Sequence, residues 1–382
     1  EAAIALRTSK IKTFFTVTIP GCKYGLISAG FVAFTLIFTD FGVPKVIGGN
    51  FNMLATDIYK QVIGQQNFHM GAVVSIILLI PAVVAFSVDR IVQRKQVALL
   101  SARAVPFEPK PDRIRDMAML AFCSFVALLI LCMIGMAQFA ALVKFWPYNL
   151  ELTLGYYDFD LAEGGGWTSY FNSIRMSIYT AIIGSLLIFV GAYLAEKGRG
   201  FALGRNVFHA AAMIPLGVPG MALGLAYIFF FNNPANPFNF LYGTMGILVL
   251  VTVTHFYTVS HLTATTALKQ MDPEFESVSA SLKTPFYRTF FKITVPVCVP
   301  AILDISMYLF LNAMTTVSAV VFLYSANTTL ASVAVLNMDD QGDLAFAAAM
   351  AMMIAYTCGG ARILHMVVTR GIVGRTQAWR SR

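Results

Sequence analysis

Charge is what this sequence has least of. Asp, Glu, Lys and Arg supply 12% of its 382 residues, against 58% hydrophobic, and mean hydropathy is +0.71. A soluble domain carries about 25% charged residues, so a soluble globular fold is excluded and a polytopic membrane protein is expected. Cysteine is scarce too. Cys22, Cys123, Cys132, Cys298 and Cys358 lie inside apolar runs with no CxxC pair, so neither a zinc site nor a disulfide framework is suggested and buried free thiols are expected. GxxxxGK[ST] is absent, so the chain cannot cradle ATP phosphates through a P-loop. HExxH and Cys/His clusters are absent as well, and no serine has a GxSxG setting, so metalloprotease and serine-hydrolase chemistry are not indicated. No Met opens the chain, and it is expected to be a fragment or to have its N-terminal part encoded elsewhere.

What is present is apolar runs of membrane length. A bilayer core needs about 20 apolar residues per helix. Eight segments qualify, at 22–41, 70–89, 117–140, 175–195, 207–231, 244–262, 298–323 and 343–368. They are too long for strands and lack a period of two, so the expected fold is all-α with eight transmembrane helices.

The basic residues then assign sides. Of 27 Lys and Arg, 23 fall in alternate connections, and only Lys45, Lys60, Lys144 and Arg175 fall in the others. The sides alternate without a break, which places the basic connections and the C-terminus in the cytoplasm. The net charge of +8 is therefore a positive-inside bias and needs no nucleic acid. On the sparse side Trp146, Tyr148, Tyr156, Tyr157, Trp167 and Tyr170 are expected at headgroup level, and Gly164, Gly165 and Gly166 read as a turn.

One amphipathic basic segment occurs twice. Glu1–Pro20, EAAIALRTSKIKTFFTVTIP, matches the stretch that ends at Pro296 with an offset of 276 residues: Leu6/Leu282, Thr8/Thr284, Thr13/Thr289, Phe14/Phe290, Phe15/Phe291, Thr18/Thr294 and Pro20/Pro296 are identical. A whole loop repeated at this distance means two copies of one module. The stretch 90–116 is basic, contains Pro106, Pro109 and Pro111, and reads as a linker. Residues 1–89 then hold one loop and two spans, and 117–382 hold six spans with the second loop at 272–296. Such a loop lies along the membrane face or offers a helix to a soluble partner, with Phe14, Phe15, Phe290 and Phe291 as natural anchors.

These residues resemble a known family. The opening EAA, with an apolar residue and Ile-Pro further on, is similar to the EAA loop of ABC-importer inner-membrane permeases. The resemblance maps onto Glu1, Ala2, Ala3, Val17, Ile19 and Pro20, and in the second copy onto Glu276, Leu282, Ile293, Val295 and Pro296. It implies that the loops dock on a cytoplasmic ATPase dimer. ATP and magnesium would be bound there and not on this chain. It further implies a periplasmic solute-binding protein, a bacterial inner membrane, and a transport subunit that is not itself an enzyme. The family's glycine at the seventh loop position is Arg7 here and Lys283 in the second copy, and neither favours the sharp bend a glycine permits. The duplication is similar to fused two-module permeases for ferric iron and for 2-aminoethylphosphonate, and Asn312–Asp343 looks most like the latter. Those have twelve spans, so the chain is expected to lack four and to fail in transport alone.

Membrane-embedded polar groups suggest a path. Asp304, Tyr308, Asn312 and Thr315 fall within ~80° of one another on a helix. Asn312, Thr315 and Thr316 are candidate path lining, or else hydrogen bonds that only pack the bundle. Asp304 lies near the cytoplasmic end, in a solvated or Arg-paired setting. Pro215, Gly217, Pro219 and Gly220 interrupt the fifth span, where a hinge or cavity wall is expected, and Gly220 with Gly224 forms a GxxxG packing face. His255 and His261 point ~120° apart on a helix and cannot share a metal; they read as satisfied lone histidines. Asp339 and Asp340 read as charges at the N-terminus of the last span, or else as a contact for an extracytoplasmic partner.

The principal reading is a permease of an ATP-driven, binding-protein-dependent importer for 2-aminoethylphosphonate, with ferric iron or another small anion as the alternative. A gradient-driven transporter would need carboxylates at mid-membrane, and only Asp304 approaches that. A membrane enzyme would need a convergent acid, base or metal set, and the sequence offers none.

Overall fold

The computed structural model describes residues 8–94, 111–162, 164–198, 200–272 and 274–376. The fold is all-α and polytopic, as the sequence implies. Its helices are α1 (Ile19–Phe38), α2 (Gly42–Ile47), α3 (Leu54–Tyr59), α4 (Phe68–Arg94), α5 (Arg113–Leu142), α6 (Gly166–Lys197), α7 (Ala202–Met213), α8 (Gly220–Phe231), α9 (Met245–His255), α10 (Tyr257–Lys269), α11 (Glu274–Ser281), α12 (Val295–Thr315), α13 (Ala331–Gln341) and α14 (Leu344–Thr376). Among the described residues, six helices are long and apolar enough to cross a bilayer. Two bent pairs, α7 with α8 and α9 with α10, bring the number to eight where each pair is counted as one span.

The first bend is 113° and follows from the prolines. Pro215 sits in a 3-10 turn, Ile214–Gly217. Val218, forced out of the helical region by the proline after it, is extended, and Pro219 starts α8 as its N-cap. The second bend is 58° and has no proline or glycine. Phe256 adopts φ −96° and ψ 13°, and beyond it Thr258 donates to the Ala212 carbonyl at 2.8 Å. A side chain of span six thus bonds the last turn of α7, tying the two broken spans together.

The seventh span departs from expectation. It was expected to run to 323, yet α12 ends at Thr315, because Thr316 is extended. Ala319–Leu323 leave the helix but stay buried, and their apolar character mimics a span continuing. α13 then returns the chain to α14. Between α5 and α6 lies a hairpin, Val143–Phe145 paired antiparallel with Asn149–Leu152.

α6 is the central post and packs against α10, α12 and α9, while α14 packs on α5, α12 and α13. The main core joins residues from both ends of the chain: Phe41, Ile58 and Leu78 with Met176, Ile188, Met221, Leu225 and Ile305. The span Ile11–Phe38 and α5 bury none of their apolar window; a bilayer is the solvent such surfaces fit. Cys22, Cys123 and Cys132 are exposed on these helices and only Cys298 is buried. The expectation of five buried thiols fails because, in a membrane span, apolar surroundings do not require burial in protein.

The aromatic cluster also differs. Trp146 and Tyr148 are exposed, but Phe159, Trp167 and Tyr170 stack edge to face in a second core, and Tyr157 hydrogen-bonds Gln138 at 3.0 Å. Only part of the cluster is free to meet a headgroup region. The turn at Gly165 and Gly166 is present, with φ of 89° and 56°. Residues 95–110 of the expected linker lie outside the described residues.

Candidate functional site

The two repeated segments share a backbone irregularity. In the first, a helical turn, Lys10–Thr13, passes through a π-turn, Phe14–Thr18, into α1. In the second, Phe286–Thr289 passes through a π-turn, Phe290–Thr294, into α12. The two π-turns occupy equivalent residues, so the duplication holds in structure as well as sequence. Pro20 and Pro296 stand at the joint where each π-turn passes into the span that follows, and the missing N–H removes one backbone bond from the continuous helix there. Glu1, Ala2, Ala3 and Arg7 lie outside the described residues, and Glu276 belongs to α11.

In the second copy the chain reverses between α11 and residue 285. Lys283 adopts φ 50°, and Thr284 N–H donates to the Ser279 carbonyl at 3.0 Å. The bend that a glycine would favour is therefore made with a lysine. The Ser279 and Thr289 hydroxyls bond each other across the two limbs. Phe290 and Phe291, paired in the sequence reading as outward anchors, part company. Phe290 is 9% exposed, with its ring 4.6 Å from that of Tyr193 and 6.0 Å from that of Phe189 on α6. It fastens the loop to its own bundle. Phe291 is 68% exposed, and Leu282, Phe286, Tyr287, Phe14 and Phe15 are exposed as well. Beneath the loop, between α10, α11 and α12, a cavity of about 320 Å³ is lined by Met271, Asp272, Phe275, Cys298 and Asp304 among others.

The path candidates converge in part. Three glycines let neighbouring segments approach. A Cβ on Gly217 would come within 3.3 Å of Phe86 of α4; on Gly220, within 2.3 Å of the Ser318 hydroxyl; on Gly224, within 2.7 Å of the Ala319 carbonyl oxygen. The GxxxG face thus receives the irregular segment after α12 and not a neighbouring helix. That segment follows Thr315 and Thr316 directly, so the broken span and the end of α12 meet. Pro215 lies in the 3-10 turn before the break and Pro219 caps the helix after it. Asn312 Nδ2 donates to the Tyr308 carbonyl at 2.7 Å and Thr315 Oγ1 to the Leu311 carbonyl at 3.0 Å. Thr316 is buried, its carbonyl held by Ser332 Oγ at 2.7 Å.

Asp304 takes the solvated setting of the two expected, 56% exposed, with His365 at 3.4 Å. Other polar groups the sequence singled out are placed differently. His261 Nε2 lies 3.0 Å from His209 Nδ1, and His209 in turn lies 3.9 Å from Glu196. The reading of satisfied lone histidines fails: His261 is one of a pair, and the Nδ1 atoms of His255 and His261 are buried without a partner. His209 was missed because its partner lies 52 positions away and no local spacing announces it. Among the described residues, no group of three or more His, Cys, Asp or Glu is placed to hold a metal ion. Asp339 and Asp340 end α13 and do not begin α14.

No family profile matches the chain. Individual relatives do. The ferric transport system permease protein FbpB of Actinobacillus pleuropneumoniae is 27% identical over 362 residues, 91% of this chain and 51% of that protein. The putative 2-aminoethylphosphonate transport system permease protein PhnV of Salmonella typhi is 26% identical over 197 residues, 50% of this chain and 71% of that protein. The putative ferric transport system permease-like protein AfuB of Escherichia coli is 39% identical over 80 residues, 21% of this chain and 67% of that protein. The chain spans about half the length of the ferric permeases it matches over most of its own length. With the duplicated loop, the long apolar helices and these likenesses together, the chain belongs to the family of ABC-importer permeases that includes the ferric transport system permeases.

Proposed function

We propose that the chain is the membrane subunit of an ATP-driven, binding-protein-dependent importer that carries ferric iron, free or chelated, across a bacterial inner membrane. The observation that carries this reading is the pair of basic loops with π-turns at equivalent residues and exposed apolar crests. A separate ATPase dimer, holding ATP and magnesium, docks on Phe14, Phe15, Leu282 and Phe291 from the cytoplasm. A periplasmic binding protein delivers solute at the opposite end. Residues 1–89 belong to one permease module and 117–382 to the other, and the loops and the C-terminus are cytoplasmic. The path runs beside the broken span at Pro215–Gly220 and the end of α12 at Asn312–Thr316, and closure of the ATPase dimer moves both modules through their loops.

Ferric iron is preferred because the relatives matched over 91% of this chain carry that name. The phosphonate-named relatives match 50% of it, which keeps 2-aminoethylphosphonate as the second reading. The test is solute-stimulated ATP hydrolysis by the whole permease that carries this chain, reconstituted with its ATPase and binding protein. Stimulation by Fe³⁺ alone supports the first reading, and stimulation by the phosphonate alone reverses the substrate. No association with an ATPase would sink the importer reading and favour a gradient-driven transporter.

A further inference from the structure

The end of the bundle away from the basic loops holds an ionic contact between distant parts of the chain. α2 and α3 follow the far end of α1, and α13 lies between the far ends of α12 and α14, so all three are at that end. There Lys45 Nζ of α2 meets Asp340 Oδ1 at the close of α13, at 2.5 Å. Tyr59, the last residue of α3, completes the contact. Its hydroxyl lies 3.4 Å from Asp340 Oδ2, and the Lys45 ammonium stands 5.0 Å above its ring. Behind it Tyr59 rests on Phe41, ring centroids 5.2 Å apart, and Phe41 is 1% exposed.

Two features argue that this is more than a surface pair. Lys45 is only 19% exposed, with Asp340 at 41%, so the ammonium is withdrawn from water and held by a carboxylate and an aromatic face together. Lys45 is also one of only four Lys or Arg on a side the sequence keeps almost free of them. The contact joins elements separated by nearly 300 positions, one before the linker stretch and one near the end of the chain.

We propose that Lys45, Tyr59 and Asp340 form a latch that holds the two permease modules together at their outer end and parts when solute enters. The inference rests on the permease reading. A latch across the entrance biases the transporter toward the state closed on that side, and the binding protein and ATP act against it. Weakening it shifts the resting population toward the open state and raises ATP hydrolysis in the absence of binding protein.

The test uses the whole permease that carries these residues, reconstituted with its ATPase in proteoliposomes, with the variants Asp340→Lys, Lys45→Asp and the double swap. Each single reversal is expected to raise basal hydrolysis about fivefold, the factor given by loss of one partly exposed ion pair. The swap, which restores the pair in the opposite sense, is expected to return it to the wild-type rate. Independently, Lys45→Cys and Asp340→Cys, in a background with the native cysteines replaced, are to be joined by a short bis-methanethiosulfonate. The link is expected to form, arrest uptake, and release it on reduction. Single reversals that stay at the basal rate, a double swap as active as the singles, or a linked protein that still transports would overturn the latch. These outcomes leave the permease reading standing if solute still stimulates the wild type. A wild type that couples to no ATPase overturns both.

Discussion

Adding one methyl group at Gly224 should loosen the whole second module. A Cβ there would lie 2.7 Å from the Ala319 carbonyl oxygen, 3.4 Å from its carbon and 3.6 Å from the Phe322 ring. Ala319, Val320 and Val321 are buried, so the opposing backbone has nowhere to retreat. Overpacking of this kind costs about 2 kcal/mol. Replacing a mid-helix glycine by alanine returns about 1 kcal/mol in helix propensity, leaving Gly224→Ala about 1 kcal/mol less stable than the wild type. Gly135, mid-helix in α5, is the control, since a Cβ there meets nothing within 4 Å. Gly135→Ala keeps the propensity gain without the clash, so it should be about 1 kcal/mol more stable. Thermal unfolding of detergent-purified protein, followed by size-exclusion fluorescence, should separate the two variants by roughly 4–8 °C. A Gly224→Ala melting point at or above wild type would refute the close approach of segment and helix. Equal losses in both variants would mean that glycine flexibility, and not contact, is being measured.

Three further outcomes follow from the geometry. Lys283→Gly should raise stability by about 0.5–1 kcal/mol, because it removes the left-handed strain at φ 50°, whereas Lys283→Val should lower it; melting points of the two variants decide. Phe290→Ala should cost about 3–5 kcal/mol, as for a buried phenyl ring, while Phe291→Ala leaves the melting point unchanged and reduces ATPase stimulation; the split disappears if both rings face outward. Burial, and then the Asp340 carboxylate, push the Tyr59 phenol from 10.0 up to about 12. The folded value lies above the unfolded one, so stability should fall as pH rises between these values. Phenolate absorbance of wild type minus Tyr59→Phe should titrate near the upper value, and lower in Asp340→Asn; a difference centred at 10.0 would show Tyr59 to be solvated.

The spans and the duplication were legible because they depend on composition and on identity at a fixed offset, which need no tertiary knowledge. The first break was legible for the same reason: Pro215 and Pro219 act on their own backbone. The break at Phe256 was not, since its cause includes a hydroxyl of Thr258 reaching a carbonyl on another helix. The end of α12 was misjudged because Ala319–Leu323 are as apolar as a span and are buried by protein instead of lipid. In the loop, adjacent phenylalanines look equivalent in sequence, yet neighbouring positions on a helical turn point about 100° apart. One therefore turns to the core and one away. Asp340 looked like a helix-start charge until the extra helix α13 placed it beside Lys45.

The paired π-turns set a phase. Each closes its turn with one residue more than an α-turn, so everything on the loop side is rotated by about 100° relative to an unbroken helix. Because Phe14–Thr18 and Phe290–Thr294 carry the same extra residue at equivalent places, the offset is the same in both copies, and equal rotations of the two spans turn their loops in the same sense. Removing a single residue from the α-helix just beyond one π-turn would shorten that helix by only about 1.5 Å. It would also swing that loop a quarter turn out of step with its twin.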